Sequence, residues 1–114
     1  MKKIEITKPE LCIFIASVFL IFLLIGAATN MKALSDNGGR MPVLNLKGVD
    51  SDTHFSFESG EVNSLILSDI YKIGYYHFSV GDVLVVLGFI GYCIFMISYI
   101  YSKLQEKTKS NQKN

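Results

Sequence analysis

Three ionisable side chains in the middle of this 114-residue chain are of the kinds that hold a ligand at close quarters: Arg40, Asp69 and Asp82. Arg40 is the only arginine, and a planar guanidinium can grip a carboxylate through two parallel hydrogen bonds. Asp69 falls within the helical-period stripe of Val62, Ile66, Ile70 and Ile73. A carboxylate on such a buried face needs a partner or a raised pKa. The pattern therefore predicts that Arg40 pairs with Asp69 or Asp82, building a polar site for an ion or an anionic small molecule. The alternative leaves Asp69 hydrated at a membrane interface. His54 and His77, the two imidazoles, are further candidates for that polar site, but His54 with Asp50 and Asp52 has no metal-ligand spacing. No nucleophile carries an evident base. The expectation is no catalytic residue, no metal ligand and no cofactor.

The elements that must position these residues begin with two apolar runs. Leu11 to Ala28 (18 residues) and Val83 to Tyr101 (19 residues) contain no Asp, Glu, Lys or Arg. At about 1.5 Å per helical residue each approaches the thickness of a hydrocarbon core, roughly 30 Å. Lys2, Lys3 and Lys8 precede the first run, and Lys103, Lys107, Lys109 and Lys113 follow the second, whereas residues 29–82 carry four cations against seven acids. The positive-inside rule then places both termini in the cytoplasm of a multi-pass protein of the cell membrane. The expected class is membrane all-α with a small α+β outward segment. Its parts are a stub at 1–10, transmembrane helices at 11–28 and 83–101, an extracytoplasmic segment at 29–82 and a disordered tail at 102–114. Because the cations lie in flexible ends rather than on a folded basic face, no nucleic-acid partner is expected. The alternative for the first run is a secretory signal ending in Gly26-Ala27-Ala28, although its length exceeds the usual apolar core of about 7–15 residues. Cys12 and Cys93 both fall inside the runs and read as small buried apolar residues rather than a disulfide pair.

Between the runs, Ser35-Asp36-Asn37-Gly38-Gly39 concentrates turn formers, and Pro42 extends the backbone after them. Alternation over Val43–Lys47 and Thr53–Phe57, joined by Gly48–Asp52, predicts a short β-hairpin at 43–57. Glu61–Ile73 predicts an interfacial amphipathic helix stopped by Gly74. Ser79-Val80-Gly81-Asp82 has the spacing of a capping box opening the second span. Tyr75, Tyr76 and Phe78 at one end of that span, with Tyr99 and Tyr101 at the other, read as aromatic belts. Gly81, Gly88, Gly91 and Ser98 form a stripe of small residues for close helix contact. Its partner is either the first span, which offers Ala16, Gly26 and Ala27, or a second protein.

The string Asn37-Gly38-Gly39-Arg40-Met41-Pro42-Val43, followed by His54, Leu67-Ser68-Asp69-Ile70 and Phe78-Ser79-Val80-Gly81-Asp82-Val83-Leu84, resembles the C-terminal half of a bacterial integral-membrane family, domain of unknown function 5317. The resemblance covers roughly residues 30–97. Members of that family usually carry several membrane helices before the string, where one apolar run precedes it here. The resemblance implies a fold and a location but no reaction. The resulting expectation is a non-catalytic accessory or assembly component. It would lie in the bilayer and dock on another membrane protein, or on itself, through the outward segment and the glycine-striped helix. The polar set Asn37, Gly38, Gly39, Arg40, Pro42, Asp69, Ser79 and Asp82 supplies the alternative, a binding site at the membrane boundary.

Overall fold

The computed structural model describes residues 7–44, 51–57, 62–74 and 76–113. Lys2 and Lys3, most of the expected Gly48–Asp52 connection, Glu61 and Tyr75 lie outside them.

Helix α1 spans Lys8–Asp36. Thr7 caps it: its hydroxyl accepts from the Glu10 amide at 3.3 Å, while the Thr7 amide donates to the Glu10 carboxylate at 3.2 Å. The two otherwise unpaired groups satisfy each other. The helix continues past Ala28 and stops where the Asn37 and Gly39 amides both fold back to the Leu34 carbonyl, at 3.2 and 2.7 Å. That closure puts Gly38 and Gly39 at φ +69° and +84°, a region costly for any side-chain-bearing residue.

Helix α2 spans Val80–Lys113. The predicted capping box is present. Asp82 N donates to Ser79 Oγ at 3.2 Å, and Ser79 N donates to Asp82 Oδ2 at 3.0 Å. The negative Asp82 also suits the positive end of the helix. Both helices are long and apolar enough to cross a membrane, and only 17% and 11% of their apolar stretches are covered by the rest of the chain. A core helix of a soluble domain would be largely covered.

The two helices pack antiparallel, and glycine decides how closely. A methyl group on Gly26 would lie 2.6 Å from the Gly81 carbonyl oxygen, and one on Gly88 would lie 2.6 Å from the Leu23 amide nitrogen. Gly91 lies beneath the Phe19 ring, which stacks on Phe95 at 5.8 Å. The small-residue stripe therefore faces the chain's own first helix, where Ala16, Gly26 and Ala33 are buried and Ala27 half-buried. Ser98, the fourth member, spends its hydroxyl on the Ile94 carbonyl of its own helix. Buried Ser102 carries the seven-residue spacing of Gly81 and Gly88 further along α2.

Among the described residues, the cap between the helices has two small sheets. Strands β1 (Met41–Val43) and β2 (His54–Ser56) pair parallel, with Pro42 opposite Phe55. On its other side β1 meets Asp69, whose amide donates to the Pro42 carbonyl and whose carbonyl accepts from Leu44 N, both at 3.0 Å. Pro42 fits here because pairing along that edge starts at its carbonyl, so its missing N–H costs no bond. Strands β3 (Tyr71–Ile73) and β4 (Tyr76–Phe78) form an antiparallel hairpin leading into α2.

Three expectations are corrected. The segment 43–57 is not a β-hairpin: Arg40 and the Met41 amide hold the carbonyls of Ser51, Thr53 and His54, so the chain returns to the start of β1 and pairs parallel. The segment 61–73 is not a helix. Asn63 and Ser64 are bonded to Asp36 and Asn37, with Ser64 at φ 55°. One 3-10 turn, Leu65–Leu67, remains before the chain extends onto β1. Gly74 accordingly turns the β3–β4 hairpin rather than ending a helix. The tail is helical through Lys113, because residues 102–113 contain no Gly or Pro and are rich in helix formers.

Replacing Gly88 by Leu should force the helices apart and cost about 3 kcal/mol or more. Gly38→Ala, with open space around its Cβ, should cost only about 1 kcal/mol of backbone strain. Unfolding midpoints of the two variants in the same detergent check this. A Gly88→Leu midpoint no lower than that of Gly38→Ala would contradict the packing.

Candidate functional site

At the cap end of the helix pair, Asn30 joins α1 to the start of α2. Its amide nitrogen donates to Asp82 Oδ1 at 2.8 Å, and its oxygen accepts from Ser79 Oγ at 2.7 Å. Gly81 makes this possible, since a side chain there would collide with the Asn30 amide. Ser79 is fully buried, yet its hydroxyl serves both helices, accepting from Asp82 N and donating to Asn30. Both Asp82 oxygens are engaged, one by Asn30 and one by the Ser79 amide.

About two helical turns further out, the Asn37 amide fastens the cap. It donates to Ala33 O and Asn63 O and accepts from Asn63 N, at 2.7 to 2.9 Å. Asp36 receives the Ser64 hydroxyl and the Lys32 ammonium, and these two contacts hold its carboxyl below the ordinary value. The Asn37–Val43 string is thus a connected device: helix stop, tether, carbonyl clamp and central strand.

Between this cap and the helix ends lies a cleft of about 330 Å³, lined by Asn30, Leu34, Gly39, Met41, Thr53, His54, Asp69 and Asp82. Asp69 is only 5% exposed. Its Oδ2 lies 3.7 Å from His54 Nε2, too long for a hydrogen bond, and its Oδ1 is buried without any hydrogen-bond partner. Burial pushes the Asp69 carboxyl up to about 6, with the negative charge of Asp82 adding to the rise and His54, when charged, opposing it. His54 Nδ1 lies 2.9 Å from the Thr53 hydroxyl, so a hydroxyl, an imidazole and a carboxyl follow one another along one wall. The cleft can hold a proton or a positively charged group. Among the described residues no three His, Cys, Asp or Glu side chains converge on a position that would hold a metal ion.

The predicted pairing of Arg40 with Asp69 or Asp82 does not form. Arg40 donates to the carbonyls of Ser51 and His54, at 3.1 and 3.4 Å, and lies 5.1 Å from the centre of the Phe55 ring. Backbone carbonyls at the returning loop are nearer to it than the carboxylates behind β1. Of the polar set read from sequence, Gly39, Asp69 and Asp82 line the cleft. Asn37, Gly38, Arg40, Pro42 and Ser79 build its supports, while Gly81, Gly88 and Gly91 set the helix approach. His77 lies in β4, outside the cleft lining. Sequence reasoning missed Asn30 and Thr53, whereas His54, a candidate for the polar site, does line the cleft. The available signal for Asn30 was an amide one turn beyond Gly26, at the level where the capping box opens the second helix.

Comparison of the chain with known protein families, with curated proteins and with solved structures returned no match. The resemblance carried by the Asn37–Val43 string therefore rests on its motifs alone.

The raised Asp69 pKa has a sign that can be checked. The folded chain holds this proton more tightly than the unfolded chain, whose carboxyl keeps the ordinary value of 3.8. Asp69 thus contributes stability that is fully present below about pH 4 and is lost as pH rises through about 6. Asp69→Asn should remove that component. The wild-type unfolding midpoint relative to the variant's should fall between about pH 4 and pH 7, and a pH-independent difference would contradict the assignment.

Proposed function

We propose that this chain is a small, non-catalytic, two-span protein of the cell membrane, both termini cytoplasmic, whose outward cap takes an ammonium or guanidinium group into the cleft beside Asp69 and Asp82. The membrane placement is supported by the two uncovered apolar helices. It is supported as well by the lysines: Lys8 opens α1, while Lys103, Lys107 and Lys109 lie in the last turns of α2. Antiparallel packing brings both groups to the end opposite the cap, as the positive-inside rule requires. The cleft then lies at the outer membrane boundary.

The observation that carries the binding proposal is Asp69 Oδ1, a buried carboxylate oxygen with no donor. Leaving such a group unsatisfied costs about 1–3 kcal/mol, which an N–H of a bound cation recovers. Two carboxylates on one cleft repel an anion, so the reading of the site as an anion binder is set aside. The cleft lies within the range of small-ligand sites, about 300–1,000 Å³. An accessory role uses the same chemistry if the cation is a Lys or Arg side chain of a membrane partner. The glycine stripe does not supply that contact, since it faces α1.

Titration of the chain in lipid nanodiscs with n-butylammonium and with methylguanidinium tests the proposal. Saturable binding is expected, roughly millimolar for ligands of this size. It should weaken about tenfold or more in Asp69→Asn and be lost as pH falls through about 6, where the Asp69 carboxylate is protonated. Binding unchanged in Asp69→Asn, or no saturable binding, would refute the site. Native mass spectrometry of the same samples distinguishes a cation bound as free solute from one carried by a second chain.

A further inference from the structure

We infer that the β3–β4 hairpin rests in the outer lipid leaflet with one face, a lipid acyl chain seating in the groove between that face and α2. The inference rests on the reading of α1 and α2 as membrane spans. Strand register divides the hairpin. Tyr71 pairs with Phe78 and Ile73 with Tyr76, which places these four side chains on one face, while Lys72 and His77 pair on the other. The Tyr71 and Phe78 rings stack at 5.6 Å. At the tip, Ile73 and Tyr76 are 69% and 80% exposed. Among the described residues nothing covers these two large apolar side chains at the turn of so small a sheet.

Their position says what covers them. Between the hairpin and α2 runs a groove of about 280 Å³, lined by Ile73, Phe78, Asp82, Val83, Val86 and Leu87. Val86 and Leu87 lie four and five residues past Asp82, about 6–7.5 Å along the helix axis. Ile73 lines the groove with them, so it is set deeper than the capped start of α2. The groove is continuous with the exposed apolar side of α2, on which Val86, Leu87, Ile90 and Ile94 are each more than half exposed. In a span, that side faces acyl chains. Tyr71 and Tyr76 can bury their rings while their hydroxyls reach the headgroups, and Lys72 on the opposite face stays with the aqueous side. Held on the leaflet in this way, the hairpin closes the lipid side of the cap and fixes the depth of Asp82.

The chain contains no tryptophan, so single substitutions report depth without background. Ile73→Trp, Tyr76→Trp, Lys72→Trp and mid-span Phe89→Trp are to be reconstituted in phosphatidylcholine vesicles containing lipid brominated on the acyl chain near the headgroup end, and separately near its terminus. The expected result is blue-shifted emission and strong loss of intensity with the shallow quencher for Ile73→Trp and Tyr76→Trp. Phe89→Trp should respond to the deep quencher and Lys72→Trp should respond weakly to both. If Phe89→Trp is quenched while the two hairpin variants match Lys72→Trp, the hairpin inference is overturned and the spans stand. Blue-shifted hairpin emission without quenching overturns it too, assigning the face to protein. An unquenched Phe89→Trp removes the spans and the inference together.

Discussion

The structure depends on how closely α1 and α2 approach at their cap end. Gly26 and Gly81 bring the two backbones nearly into contact, and at that distance the Asn30 amide spans the gap to both Ser79 and Asp82. The pairing is reciprocal: Asp82 caps its own helix through Ser79 while accepting from the opposite one. If the pair spans a bilayer, as proposed, no hydrophobic drive holds the two helices together there, and close packing and interhelical hydrogen bonds must do it. Here both occur within one turn of each other. Removing either the glycines or the amide would leave the half-buried Asp82 carboxylate and the buried Ser79 hydroxyl without their partner on the other helix.

Everything in the cap is hung from this crossing. Asn37 stops α1 and ties down Asn63, the following glycines reverse the chain, and Pro42 and Val43 become the centre of a short parallel pairing that receives Asp69. The last step has a consequence for chemistry. Asp69 is fixed by its backbone, through Pro42 and Leu44, so its side chain is carried into the cleft whether or not a donor waits there. The unsatisfied Oδ1 and the raised pKa follow from a backbone constraint rather than from any bond that the side chain makes. A site that is buried, acidic and held by main-chain pairing is suited to accept a cation or a proton. It is poorly suited to act as a nucleophile.

How much of this was legible in the sequence depends on the range of the contacts. The two apolar helices, the capping box at Ser79–Asp82, the turn at Asn37–Gly39 and the small-residue stripe are local patterns, and each is present. What could not be read were choices made over long separations. Val62, Ile66 and Ile70 have helical spacing, but Asn63 and Ser64 are claimed by the end of α1, which prevents the helix. The residue types favour Arg40 as the partner of Asp69 or Asp82, yet it meets neither of them and gathers the carbonyls of Ser51 and His54, more than ten residues away. The polarity of the tail predicts disorder, but polarity does not break a helix that contains no Gly or Pro. Asn30 lies just past the apolar run, where a lone amide gives no periodic signal.

A double-mutant cycle on Asn30 and Asp82 in lipid nanodiscs tests the central claim most directly, since it isolates the interaction from the separate costs of each truncation. Unfolding free energies of the wild type, Asn30→Ala, Asp82→Ala and the double variant should show a coupling of about 1–2 kcal/mol, with the double variant little worse than the poorer single one. Strictly additive losses would mean that the two side chains do not meet, and the account of the crossing would fail with them.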